Sequence, residues 1–233
     1  MRSTDGESEK DLITNSAPLN YVSIAPAIKA NSTAAMLRVS LWVFFAAWIA
    51  NFDNGYTGTV LIMPSYRKAF GTCRELINPT TGHFAERCSI TPLQQSLISL
   101  NYMFIGIGGG LSALTGRYTG RRGAIQIGCA LAIIGAAGML GTGDGSPKTF
   151  LHYMVCKCIS AIGIGQLISA SLAYGSECIV ASKRGLALGL YNVGLALGNL
   201  ASSAVCAGSA RLESDNNWQW KTPILAQIPL GMI

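Results

Sequence analysis

Two ionisable residues stand where lipid should forbid them. Asp53 lies in an apolar run at 39–63, and Lys157 lies in another at 150–174. A charge inside hydrocarbon needs a partner or a water-lined cavity. Their depths agree if the two runs are antiparallel helices. At about 1.5 Å of rise per residue, Asp53 lies roughly 22 Å above an inner edge near Arg38, and Lys157 about 10 Å below an outer edge near Phe150. In a hydrocarbon core of ~30 Å, both then sit roughly 8–10 Å from the outer face. The two are expected to face each other across the bundle interior. Two readings stay open: a static ion pair that fixes helix register, or a proton-coupling pair whose protonation biases a conformational change.

A second charged cluster gathers at the opposite side: Arg121, Arg122, Glu177 and Arg184. It reads either as an inter-helix salt-bridge network closing an inner gate or as arginines drawn to lipid headgroups. Cys73 and Cys88 share one polar loop and would fit a disulfide if that loop faces an oxidising space. The other five of the seven cysteines fall in or at the ends of apolar runs, where the thiol behaves as a small hydrophobe. No Cys-x-x-Cys pair suggests a metal site. The two histidines, His83 and His152, lie in or beside outer loops, and no nucleophile–base constellation is visible. No enzyme activity, metal or cofactor is expected.

The elements that must position these residues are membrane helices. Half of the 233 residues are hydrophobic and only 12% are charged, about half the charge share of a soluble domain. A helix needs roughly 20 mostly apolar residues to cross. Spans are expected at 39–63, 97–115, 124–140, 150–174 and 186–207. A sixth begins at 222 and is cut short at 233, which suggests a truncated chain. Glycines inside these runs, such as Gly108, Gly163, Gly165, Gly194 and Gly198, predict close helix packing.

The short loops carrying Arg117, Arg121, Arg122, Lys183 and Arg184 favour a cytoplasmic N-terminus. With that orientation nine of the 17 Lys and Arg residues fall inside and seven outside, Lys157 remaining within a helix. Residues 1–36 are polar, lack the apolar core of a signal peptide and read as a disordered cytoplasmic tail. The net charge of +6 comes without a basic stripe of interleaved aromatics, so no nucleic acid partner is expected.

Several motifs resemble those of the major facilitator superfamily, and of its sugar porters in particular. Gly116–Arg122 is similar to the G-x-x-x-D-R-x-G-R-R/K loop between helices two and three. Gly120, Arg121 and Arg122 match its end, while Arg117 and Tyr118 replace its Asp and first Arg. Tyr174-x-x-Glu177 followed by Arg184-Gly185 resembles the signature Y-x-x-E-x-x-P-x-x-x-R-G, with Val180 at its Pro. Phe52-Asp53-x-Gly55 resembles the G-Y-D-x-G end of the first helix, and Lys157 takes the place of a fourth-helix Arg. Leu190-Tyr191-Asn192 with Gly198 resembles the fifth-helix L-Y-Q and Gly. Trp218-x-Trp220-Lys221-x-Pro223 with Gln227 resembles W-R-W-R-x-P-x-x-x-Q at the start of the sixth. The style is that of fungal sugar porters.

The resemblance implies an all-α membrane protein: the N-terminal six-helix bundle of a twelve-helix major facilitator fold, its sixth helix truncated, with substrate at the midplane and alternating access. It implies Asp53 and Lys157 as the proton-coupling pair. It also implies Asn192 and Phe52 as substrate contacts, an amide being suited to sugar hydroxyls. The expected function is transport of a hexose, disaccharide or polyol, coupled to protons, across the plasma membrane. The expected partners are the sugar, the proton, membrane lipid, and the missing C-terminal half or a second half-bundle. A quinate-like organic acid transporter of the same fold and a non-transporting sugar sensor or membrane scaffold are the rival readings.

Overall fold

The computed structural model describes residues 21–77, 84–142, 147–213 and 216–230. The chain divides into two compact units, Met1–Arg38 and Val39–Ile233. Of the first, the described part is helical backbone. The second is the bundle, and all packing below belongs to it.

The elements run α1 (Tyr21–Val60), α2 (Pro64–Phe70), β1 (Thr72–Ile77), β2 (Phe84–Ser89), α3 (Pro92–Ser99), α4 (Asn101–Leu140), α5 (Pro147–Cys178), a 3-10 turn (Ala181–Lys183), α6 (Arg184–Ser209) and α7 (Trp218–Leu230). Among the described residues, four helical stretches are long and apolar enough to cross a membrane: Ala34–Val60, Pro92–Leu140, Thr149–Cys178 and Ala181–Ser209. Large apolar side chains such as Leu186, Leu200, Leu151 and Tyr102 lie exposed along them, as helices facing lipid require.

The first helix starts well before the expected residue 39. Helix covers 21–36, which the sequence reading placed in a disordered tail; residues 1–20 lie outside the described residues. The acidic residues that suggested disorder all precede residue 12, whereas 25–37 is rich in Ala, a strong helix former.

The expected loop at 116–122 is also absent as a loop. Helix runs from 101 to 140 and is interrupted only at Gly120, at φ 75° and ψ 170°. That region suits a residue without a Cβ. Helix-to-helix contacts show that the chain reverses there. Before the break, Gln94 reaches the Phe70 carbonyl, and Phe70 packs on Phe150 near the start of α5, while Thr115 accepts from Gln166 further along that helix. Residue numbers thus rise together, so 101–119 runs parallel to α5. After it, Gly128 meets Gly163 and Leu167, and Gly135 meets Cys156 and Ser160. Numbers now rise in opposite directions, so 121–140 is antiparallel to α5. The two expected spans are both present, joined at one residue.

Glycine sets the other close approach too. Added methyls at Gly194 and Gly198 would collide with the Phe44 and Trp48 carbonyls, so α1 and α6 run parallel with their backbones nearly touching. Val43 lies against Gly175, which makes α1 antiparallel to α5.

The described residues between 64 and 92 are structured. β1 and β2 form an antiparallel hairpin in which Cys73 faces Cys88, and the two are disulfide-bonded. Helix α3 starts with a capping box: Thr91 accepts from the Gln94 backbone, and the Gln94 side chain accepts from the Thr91 N–H. The Gln94 amide then donates to the Phe70 carbonyl at 2.8 Å. Ser65 donates through its hydroxyl to Gln219 Oε1 of α7 at 2.7 Å. Tyr66, Phe70, Tyr153 and Trp220 close the space between in an aromatic cluster with ring centroids 4.7–6.1 Å apart. Helix α2 is thus held at both ends over one end of the bundle.

Candidate functional site

Asp53 and Lys157 meet inside the bundle. Lys157 Nζ donates to Asp53 Oδ1 at 3.0 Å and to Oδ2 at 2.9 Å. Their side chains are 0% and 1% exposed. Burying two charges is costly, and the mutual attraction offsets that cost only when the remaining polar atoms are satisfied. The site supplies such atoms. Tyr56 Oη donates to Asp53 Oδ1 at 3.0 Å and accepts from Lys157 Nζ at 3.3 Å. The ammonium also lies 4.7 Å from the centre of the Tyr56 ring, a cation–π contact.

Two helices fix this geometry by register. Tyr56 is three residues after Asp53, which places both on one face of α1. Lys157 is four residues after Tyr153, so the pair lies one turn, roughly 6 Å, below the aromatic cluster. Helix α7 adds Gln227, whose Oε1 lies 3.0 Å from Tyr56 Oη. Gln227 is buried, and its Nε2 has no partner. Ser160, one turn further along α5, is buried with an unpartnered hydroxyl. Polar groups therefore continue past the ion pair into the bundle.

The other expected site residues are placed differently. Phe52 is buried in the core, its ring 6.2 Å from that of Tyr56. It therefore supports Tyr56 and is not on an open substrate path in this structure. Asn192 is exposed, and its Nδ2 donates to Leu188 O of its own helix at 3.1 Å.

At the opposite end, Arg121 grips Glu177 from two nitrogens, Nη2 to Oε1 at 2.6 Å and Nε to Oε1 at 3.0 Å. The hydrogen bond and charge of Glu177 hold the Arg121 guanidinium above its ordinary value. Arg122 donates to Tyr174 Oη at 3.3 Å. This links the start of 121–140 to the end of α5. Arg184 takes a different position from the one expected. Its Nε donates to the Ile179 carbonyl at 3.4 Å, capping the end of α5 as a basic residue near a helix C-terminus does. Since the pair is exposed, its effect on stability is small. Glu177→Arg alone is expected to lower the thermal midpoint of the bundle slightly, and adding Arg121→Glu to restore most of it, read by thermal denaturation in one detergent. A swap that recovers nothing would show that this pair does not tie the two helices.

Tyr56 and Gln227 are the residues that charge counting missed. Tyr56 could have been found from its spacing to Asp53. Gln227 lay in the sixth-helix motif without a role attached. Among the described residues, no group of three or more His, Cys, Asp or Glu is placed to hold a metal ion.

Comparison with known proteins follows the same lines. Residues 39–233 match the family model described as sugar (and other) transporter. The chain is similar to a quinate permease of Neurospora terricola, 26% identical over 190 residues, covering 81% of this chain and 33% of that one. A probable quinate permease of Neosartorya fischeri is 24% identical over the same share of each. The chain thus spans about a third of the length of these curated relatives. Among solved structures, it resembles the inward-open xylose transporter XylE from E. coli with a TM-score of 0.66 at 18% identity, covering 84% of this chain and 46% of that one. It also resembles the proton:xylose symporter XylE bound to 6-bromo-6-deoxy-D-glucose, with a TM-score of 0.69 at 16% identity over 86% and 43%. These two likenesses show the fold: the N-terminal part of a major facilitator transporter.

Proposed function

We propose, from the premise that this chain belongs to the sugar (and other) transporter family, that it forms one half of a proton-coupled pathway for a sugar or related polyol. The observation that carries this reading is the fully buried Asp53–Lys157 pair with Tyr56 on it. A static pair would need only mutual satisfaction. This one sits beside buried polar atoms without partners, on Gln227 and Ser160, which an altered protonation state can engage. When a proton reaches Asp53, its carboxylate charge is lost and Lys157 is released. Helices α1 and α5 then lose their strongest tie, and the bundle is free to rock.

The pathway is completed by a second six-helix half, since a substrate site at the midplane needs both halves. Asn192 on the exposed face of α6 offers an amide to substrate hydroxyls there. The protein lies in the plasma membrane with its N-terminus in the cytoplasm. Two observations support that orientation: the basic residues at the Arg121 end and the Cys73–Cys88 disulfide at the other end, which suits an oxidising exterior.

Asp53→Asn is expected to abolish accumulation of labelled sugar against its gradient and to leave substrate exchange intact. Uptake into energised vesicles, with counterflow as the control, reads both. Accumulation that survives the change would refute the coupling role. A second reading is favoured by the curated relatives, several of which are described as quinate permeases. A cyclic polyol acid is then the substrate. Competition decides between them: quinate blocking uptake that hexoses leave untouched would establish the acid.

A further inference from the structure

Tyr56 has one phenolic proton and two acceptors for it. Asp53 Oδ1 and Gln227 Oε1 each lie 3.0 Å from its oxygen, on different helices. A hydroxyl donates once and accepts twice. The O–H can therefore serve α1 or α7, never both together. Gln227, buried, leaves its Nε2 unpartnered. An amide that turns can accept from the phenol with its oxygen or donate to it with its nitrogen.

We propose that Tyr56 is a positioning residue that passes the protonation state of Asp53 from α1 to α7 by redirecting its hydroxyl. The inference rests on the coupling role given above to Asp53. With the carboxylate charged, Tyr56 donates to Asp53, and its oxygen accepts from Lys157 Nζ and from the turned Gln227 amide nitrogen. When an external proton binds Asp53, the new carboxylic O–H donates to Tyr56 Oη. The phenol hydroxyl swings to Gln227 Oε1. No proton leaves Tyr56, and Lys157 keeps its own. One proton has entered, and the hydrogen bonds of Tyr56 to Asp53 on α1 and to Gln227 on α7 have both reversed direction. The Tyr56 ring face, 4.7 Å from the ammonium, keeps Lys157 in the site after its carboxylate partner is lost.

The groups facing Tyr56 are few. Asp53 comes from its own helix, Lys157 and Tyr153 from α5, Cys206 from α6 and Gln227 from α7. Among them Asp53 is the one carboxylate.

The test reads the carboxyl group directly, in the chain embedded in nanodiscs, by infrared difference spectroscopy during acidification. The native chain is expected to show a protonated-carboxyl C=O band that Asp53→Asn removes. Tyr56→Phe keeps the ring, its burial and the cation–π contact, and removes only the hydroxyl. In that variant the band is expected to move to higher wavenumber, because its O–H has lost an acceptor. It should also appear at a different pH, because both protonation states of Asp53 lose a hydrogen bond to Tyr56. Gln227→Leu is the second variant: the tyrosine C–O band should cease to shift on acidification, while the Asp53 band remains. An Asp53 band unchanged in position and pH by Tyr56→Phe would overturn the relay and leave the coupling reading standing. If acidification yields no band that Asp53→Asn removes, the coupling reading fails and the relay falls with it.

Discussion

Replacing Lys157 by Met is expected to destabilise the bundle by roughly 3–5 kcal/mol, because it strands the Asp53 carboxylate without its cation in a dry interior. The loss reflects the uncompensated charge more than any net strength of the pair. The double change Asp53→Asn with Lys157→Met should therefore recover most of it. Reversible unfolding in mixed micelles, run as a double-mutant cycle, separates the two contributions. A single substitution that costs less than ~1 kcal/mol would mean that water reaches the site, against the 0% and 1% exposure of the two side chains. Because the double variant removes both buried charges, it is expected to fold well.

The second large effect is steric. Gly165→Val should destabilise by about 3 kcal/mol, the upper part of the usual range for overpacking. A methyl there would already overlap the Ile105 carbonyl. The obstacle is backbone, so no rotamer change relieves it, and α5 must separate from the 101–119 stretch. Gly106 and Gly110 provide the control, since an added methyl at either has nothing within 4 Å. Gly106→Ala should be neutral or slightly stabilising, because glycine costs a helix roughly 0.5–1 kcal/mol relative to alanine. Thermal denaturation of the two variants in one detergent checks the ordering. Equal losses at positions 106 and 165 would show that the close approach carries no energetic weight.

Much of this architecture was legible in the sequence, for reasons that differ by residue. Asp53 and Lys157 stood out because lipid makes charge conspicuous, and their depths matched because helical rise is nearly constant. Depth, however, says nothing about azimuth. Phe52 and Asn192 were both expected at the substrate; one is buried in the core and the other lies on the exposed side of α6. Tyr56 went unread because an uncharged aromatic is at home in any membrane helix; only the Asp53 carboxylate beside it gives its hydroxyl a task. The Cys73–Cys88 disulfide could be expected from two thiols in one polar loop, but the surrounding tie points could not. Gln219 and Gln94 do their work on atoms far away in sequence, Ser65 and the Phe70 carbonyl. Arg184 looked like a partner for Glu177, and a nearer backbone carbonyl took it instead.

The reversal at Gly120 bears on how the protein is made. Two membrane passes joined by one residue have no slack between them. Neither can settle in the bilayer while the other waits in water. During synthesis they must leave the insertion machinery side by side, as a preformed helical hairpin. The guanidinium groups of Arg117, Arg121 and Arg122 flank the bend and resist being dragged through hydrocarbon. They hold the tip out of the hydrocarbon, so one glycine and three arginines fix where both passes end.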